Sequence, residues 1–204
     1  MIKKNIILVG AGGHAEACIE LVNSTKKYNI KEIVGTKRDI KKIILKKFKV
    51  KYSDQDLNHL SKRFNYALIS VGQIKDHSIR LKIFHKLKKL EFKLPKIISP
   101  FAIISKTSSI GEGTVIMPGA IIGANVKIGK NCIINTKTVV EHGSIISDNS
   151  HLATSVTINS GTKIGANSFI GSNSTLAQEV TIKNNSFIKM CSRITKWKKL
   201  RLAS

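Results

Sequence analysis

The sequence predicts two unlike halves: a small α/β domain built on a parallel sheet, Rossmann-like but short, followed by a parallel β-helix. Three observations predict it. The front half alternates apolar runs with helix-like stretches, starting with NIILV and the glycine loop GAGGHA. From Ile104 to Ile194 an Ile, Val or Leu stands at every sixth position, sixteen times in succession. The first rule gives way to the second just after Pro100.

In the front half, residues 5–9 read as a buried strand and 15–22 as a helix. A strand over 32–34, a polar stretch over 54–60 and a strand over 66–71 follow. The segment 79–90, IRLKIFHKLKKL, reads as an amphipathic helix with Ile79, Ile83, Leu87 and Leu90 inward and lysines opposite. Residues 96–98 read as a last strand of this domain. The expected division is 1–97, then 98–195, then a tail over 196–204 in which Trp197 caps the end of the solenoid.

A period of six suits neither a 3.6-residue helix nor plain strand alternation. It suits a coil of three flat faces, each needing one inward aliphatic. Four residues after each aliphatic comes a small or modest side chain, such as Thr114, Ala120, Cys132, Thr138 and Ser144, where a corner leaves little room. Gly and Asn recur beside the aliphatics, and both tolerate the left-handed backbone of a tight corner. Three hexads close one coil of about eighteen residues.

Composition narrows the function classes. Hydrophobic residues make up 42% and aromatics 5%, so the core is mostly aliphatic. The three cysteines, Cys18, Cys132 and Cys191, lie far apart, which suits a reducing compartment and neither a disulfide framework nor a zinc knuckle. The run NIILVG ends in glycines, not a cleavage site, and no eighteen-residue apolar stretch occurs, so a cytoplasmic location is expected. The net charge is +23, with 23 basic and 8 acidic residues in 1–97 and 12 and 4 in 98–204. The lysines are scattered and not interleaved with aromatics, so no nucleic-acid partner is expected. Attraction to anionic ligands, or weak association with the inner membrane surface, stays open. The hexad half holds two histidines, too few for a three-histidine zinc site.

The hexad run resembles the left-handed β-helix acyltransferases. With GAGGHA in front and IINTKTVVEHGSIISDNSH in the repeats, the whole chain resembles the sialic acid O-acetyltransferase family, which includes bacterial UDP-4-amino-sugar N-acetyltransferases. The resemblance implies acetyl-CoA as co-substrate, a nucleotide-linked sugar as acceptor, a role in surface glycan biosynthesis and a homotrimer. Acetylation of sialic acid or another sugar hydroxyl, and a non-catalytic scaffold role, are the alternatives.

Site residues follow from the same resemblance. His142 and His151 are nine residues apart, half a coil, so they should lie well separated within one chain and meet only across subunits. His142 would be the general base, since imidazole titrates near neutrality. Relatives carry an acid directly after this histidine, where this chain has Gly143; Glu141, Asp148 or a neighbouring chain would supply the orienting carboxylate. His151 would lie near acetyl-CoA, donating to its carbonyl or touching the cofactor. Ser160 and Gly161, one coil above His142, would line the pantetheine route, with Lys183 and Lys189 on its phosphates. Asn135 would position the acceptor or fill a turn.

The loop Gly10, Gly12, Gly13 and His14 would receive the nucleotide diphosphate at a helix N-terminus. As a dinucleotide fingerprint it is poor, because Ala15 stands at the third glycine position. Relatives have acids at the end of the second strand; here Thr36, Lys37 and Arg38 follow Gly35, and the first acid is Asp39. Carboxylate contact to the nucleotide is therefore in question.

Overall fold

The computed structural model describes residues 2–195, and the tail expected to carry the Trp197 cap lies outside them. The front domain runs β1 (Lys4–Val9), α1 (Gly13–Thr25), β2 (Tyr28–Gly35), an antiparallel pair β3 (Ile43–Ile44) and β4 (Phe48–Lys49), β5 (Tyr52–Ser53), α2 (Leu57–Ser61), β6 (Tyr66–Ile69) and α3 (Ser78–Lys89). Its main sheet is parallel, in the order β5-β2-β1-β6. Strand β1 is apolar on both faces because both are covered. Ile6 and Leu8 pack with α1 on one side; Ile7 and Val9 pack on the other with Leu57, Leu60, Phe84 and Leu87 of α2 and α3.

The C-terminal part winds through two-residue strands on three parallel sheets, each strand pairing with the one eighteen residues on. We refer to three faces. The first begins at Ile97–Ile98, the second at Ile103–Ile104 and the third at Ser109–Ile110. The hexad aliphatics point inward and make one continuous core, among them Ile122, Ile134, Val140, Ile146, Leu152 and Ile158, none more than 1% exposed. The small residues four places on are buried from Thr114 to Val180, and Thr114, Thr138 and Ser150 donate their hydroxyls to backbone carbonyls fifteen residues ahead. Asn131, Asn149, Asn167 and Asn185 adopt positive φ and stack as a ladder of side-chain amide hydrogen bonds up one corner. The expected inward period and corner chemistry are both present.

Two expectations change. Residues 97–98 do not extend the front sheet; they pair with Val115–Ile116 and form a rung of the first face. The reason is the hexad phase itself, since Ile98 stands six before Ile104 and packs against the same core. On α3 the buried residues are Arg80, Phe84 and Leu87, one position round from the expected stripe, while Ile79 is 56% exposed. Leu87 is buried and Ile83 and Leu90 pack against the core as expected, so the departure is Ile79, which lines a cleft.

The front domain sits on the first face. Ile97, Val115 and Ile133, the outward residues of its first three rungs, are fully buried against Ile6, Leu8, Ala15 and Val22. The outward row continues through His151, Phe169 and Phe187, with the His151 ring edge-on to Phe169 at 5.2 Å and Phe169 stacked on Phe187.

Candidate active site

The glycine loop is shaped by what lies beneath it. Gly10 has φ +129°, and a Cβ there would come within 2.7 Å of the backbone of Ser70 and Val71. Ser70 Oγ donates to the Gly10 carbonyl at 2.8 Å, joining the ends of β1 and β6. Gly12 and Gly13, by contrast, face open space at the start of α1. Above them lies a cleft of about 450 Å³ with apolar walls of Val9, Val34, Leu57, Val71, Ile79 and Ile83. Asp39, Asp54, Lys82 and Lys86 are its charged groups.

The first acid after the second strand, Asp39, does reach the cleft. After β2 the chain makes a 3₁₀ turn, Lys37–Asp39, that brings Asp39 back over Thr36. Asp39 Oδ2 accepts from the Thr36 amide at 2.9 Å and from its hydroxyl at 2.7 Å. These bonds hold the Asp39 carboxyl below the usual range, so it is ionised at neutral pH. Lys37 and Arg38 are exposed and are not part of the cleft.

A second pocket, about 500 Å³, opens where the loop meets the first face, lined by Gly12, Gly13, His14, Ser70 to Ile74, and His151. It shares Gly12 and Val71 with the first cleft. His151 is 6% exposed, and its Nδ1 hydrogen-bonds to the Gln73 carbonyl. A carbonyl can only accept, so Nδ1 carries the proton and Nε2 presents a lone pair. His14 Nε2 and His151 Nε2 are both buried and make no hydrogen bond among the described residues. Burial, with Arg80 nearby, lowers His14 to about 3 and His151 to about 4. Both rings are therefore neutral at physiological pH.

Arg80 fastens this junction. It is fully buried and donates to the carbonyls of Ile69 (3.0 Å), Val71 (2.7 Å) and Asn131 (3.2 Å). Burial lowers it to about 10, so it remains a cation. Gln73 adds a bond from Nε2 to the Asn149 carbonyl at 2.7 Å. Burial raises Cys18 and Cys132 to about 12, which leaves them as neutral thiols and poor nucleophiles.

His142 stands elsewhere, exposed at the corner between the second and third faces. Its Nε2 lies 2.9 Å from Ser160 Oγ, one coil up. The Gly161 amide donates to the His142 carbonyl at 3.0 Å, which keeps the two coils in register. Gly143 adopts φ +69°. Asp148 lies past the next face, where its Oδ1 accepts from the Lys130 amide at 2.8 Å, and no hydrogen bond joins Glu141 to the ring.

The structure thus brings together Gly10, Gly12, Gly13, His14 and His151, and separately His142, Ser160 and Gly161. As expected, the two histidines of the repeat are apart. His151 is not on an open wall; the front domain covers it, and at neutral pH its free nitrogen accepts hydrogen bonds, so it does not donate to a carbonyl. Lys183 follows a third-face strand and Lys189 a first-face strand, so neither shares the His142 corner. Asn135 lies on the same corner as Lys189, and its Oδ1 accepts from the next residue's amide at 2.8 Å, as a turn residue does. Gln73, Arg80, Asp54, Lys82 and Lys86 were not singled out from sequence. An arginine on the apolar side of a lysine-faced helix was the one visible signal.

Comparison with known proteins gives two domain matches. Residues 5–87 match the PglD N-terminal domain, and residues 98–202 match the GMPPB C-terminal domain. Among solved structures, the acetyltransferase domain of PglB from Neisseria gonorrhoeae is 26% identical, covering 95% of this chain and 92% of that one, with a TM-score of 0.85. That domain has also been solved in complex with acetyl coenzyme A. A histidine-to-alanine mutant of GDP-perosamine N-acetyl transferase from Caulobacter crescentus, in complex with CoA and GDP-perosamine, is 25% identical over 94% of this chain and 88% of that one, with a TM-score of 0.87. WeeI from Acinetobacter baumannii shares the fold at 19% identity and a TM-score of 0.72, with 94% of each chain covered.

Proposed function

The chain belongs to the GMPPB C-terminal domain family through residues 98–202 and to the bacterial sugar acetyltransferases, and from that premise we propose that it transfers the acetyl group of acetyl-CoA to an amine or hydroxyl of a nucleotide-linked sugar for surface glycan biosynthesis. In this reading residues 1–97 are a Rossmann-like nucleotide domain and 98–195 a left-handed β-helix. The observation that carries it is the adjacency of the two pockets, which share Gly12 and Val71 as lining and so set an apolar, charge-edged cleft beside the His14–His151 pair.

Each part of the acceptor has chemistry to meet it. The base packs against the apolar walls, and the ionised Asp39 accepts from ribose hydroxyls. The diphosphate lies at the open N-terminus of α1, where Gly12 and Gly13 allow close approach. The sugar then reaches the second pocket, where neutral His14 and His151 offer lone pairs to hydroxyl or amine donors.

The general base is His142 of a neighbouring protomer in a homotrimer. The second face supports that assembly, since its outward row begins Ile103, Ile121, Val139, and Ile103 is 66% and Ile121 40% exposed. His142 follows that face directly. The sugar nitrogen or oxygen attacks the thioester carbonyl as His142 takes its proton. The C–S bond then breaks, and the proton passes to the CoA sulfur. CoA runs along the Ser160–Gly161 corner, with Lys183 and Lys189 reaching its phosphates from adjoining corners or chains.

A CoA-release assay with acetyl-CoA and UDP-, dTDP-, GDP- and CMP-linked amino sugars, plus free sialic acid, tests this reading. Turnover with one nucleotide sugar is expected. Asp39→Ala should raise KM for that acceptor about tenfold, the cost of one charged hydrogen bond, and leave KM for acetyl-CoA alone. No turnover with any acceptor would refute it.

A further inference from the structure

A base needs its imidazole held in one tautomer, because the nitrogen that accepts the proton must carry the lone pair. A carboxylate commonly does this by accepting from the other nitrogen. The two carboxylates nearest His142 in sequence, Glu141 and Asp148, do not hold its ring. Gly143, at φ +69°, has no side chain to offer. Asp148 is bound to the Lys130 amide, and Glu141 makes no bond to the ring. The atom within reach is Ser160 Oγ, 2.9 Å from Nε2. Its position is set by the coil, since the adjacent Gly161 amide bonds to the His142 carbonyl.

We propose that Ser160 is the positioning residue of His142, its hydroxyl accepting from Nε2–H so that Nδ1 is the nitrogen that takes the proton. This goes beyond the proposed function and rests on its assignment of His142 as base. The arrangement is the same before and after transfer. The amine or hydroxyl N–H or O–H proton moves to Nδ1 as the new C–N or C–O bond forms. It leaves Nδ1 for the CoA sulfur once the C–S bond has broken. Ser160 Oγ accepts from Nε2–H throughout. A neutral hydroxyl fixes the tautomer without a charge of its own, which distinguishes this site from one built on a carboxylate.

The test combines a spectroscopic and a kinetic readout on the full chain. In wild type, ¹⁵N-labelled histidine NMR should report His142 as the Nε2–H tautomer, and Ser160→Ala should give a mixture. Ser160→Ala should also lower kcat about tenfold, as expected for loss of one orienting hydrogen bond, with KM for acetyl-CoA within about twofold. Ser160→Thr, which keeps the hydroxyl, should recover the wild-type tautomer and most of kcat. An Nδ1–H tautomer in wild type, or an unchanged tautomer in Ser160→Ala, overturns the proposal. So does a raised KM for acetyl-CoA with unchanged kcat, the signature of a residue that only lines the cofactor route. His142→Ala run alongside separates the two ideas: an active His142→Ala removes the base, and with it the role of Ser160, whatever the tautomer.

Discussion

At the scale of single residues, the junction between the two halves is held by groups whose protonation matters. His14 and His151 are buried as neutral rings and titrate at about 3 and about 4. Unfolded, each would titrate near 6.5. Below that value the unfolded chain binds protons that the folded chain does not, so stability falls with falling pH. The contribution is complete above about pH 6.5 and drains away between about 6.5 and about 4, at about 1.4 kcal/mol per pH unit for each ring that charges. Melting temperatures measured from about pH 8 to about pH 4 should show this slope, and His151→Gln, which cannot charge, should reduce it to the part carried by His14. Arg80 gives a second prediction. It is a buried cation that donates to the carbonyls of Ile69, Val71 and Asn131. Arg80→Met would leave those acceptors bare and should cost about 3 kcal/mol in chemical denaturation. Neither junction histidine nor Arg80 could be read together from sequence, because their meeting depends on how the front domain docks on the first face.

At the scale of elements, legibility depended on whether one requirement or two acted on a residue. The hexads were legible because each inward position answers to one demand, a filled coil interior, and sixteen repeats leave no other phase. The helix α3 was legible as a helix but not in its rotation. Ile79 has the spacing of a core residue yet walls the cleft, Ile83 packs against the core and lines the cleft as well, and Arg80 and Phe84 are buried beside the expected stripe. Composition cannot tell an isoleucine that packs a core from one that packs a ligand. The prediction is specific: Ile83→Lys should leave the melting temperature within a few degrees but raise KM for the nucleotide sugar at least about tenfold, since a half-buried side chain adds little to the fold and much to an apolar wall. The place of Asp39 at the cleft was hidden for a different reason. It depends on a 3₁₀ turn closed by Thr36, a feature with no period to read.

At the scale of the whole molecule, one chain carries two partial sites. The pocket with His14 and His151 lies under the front domain, and His142 stands exposed on another corner. Among the described residues no helix is long and apolar enough to cross a membrane, and the exposed isoleucines of the second face suit a protein partner. In the proposed assembly, a second copy of this chain would take that apolar row out of water and bring a histidine to the pocket at once. If the proposed trimer forms through this face, wild type should sediment as a trimer, and Ile121→Asp should dissociate it and abolish turnover without unfolding the monomer. The half-coil spacing of His142 and His151 made their separation within one chain legible; the buried position of His151 was beyond its reach. The most direct measurement is acetyl-CoA turnover on the acceptor found by the panel, with wild type and His142→Ala at equal trimer concentration. A loss of kcat of about a hundredfold or more, with both substrates still bound, is the predicted result. Wild-type turnover in His142→Ala would contradict the account.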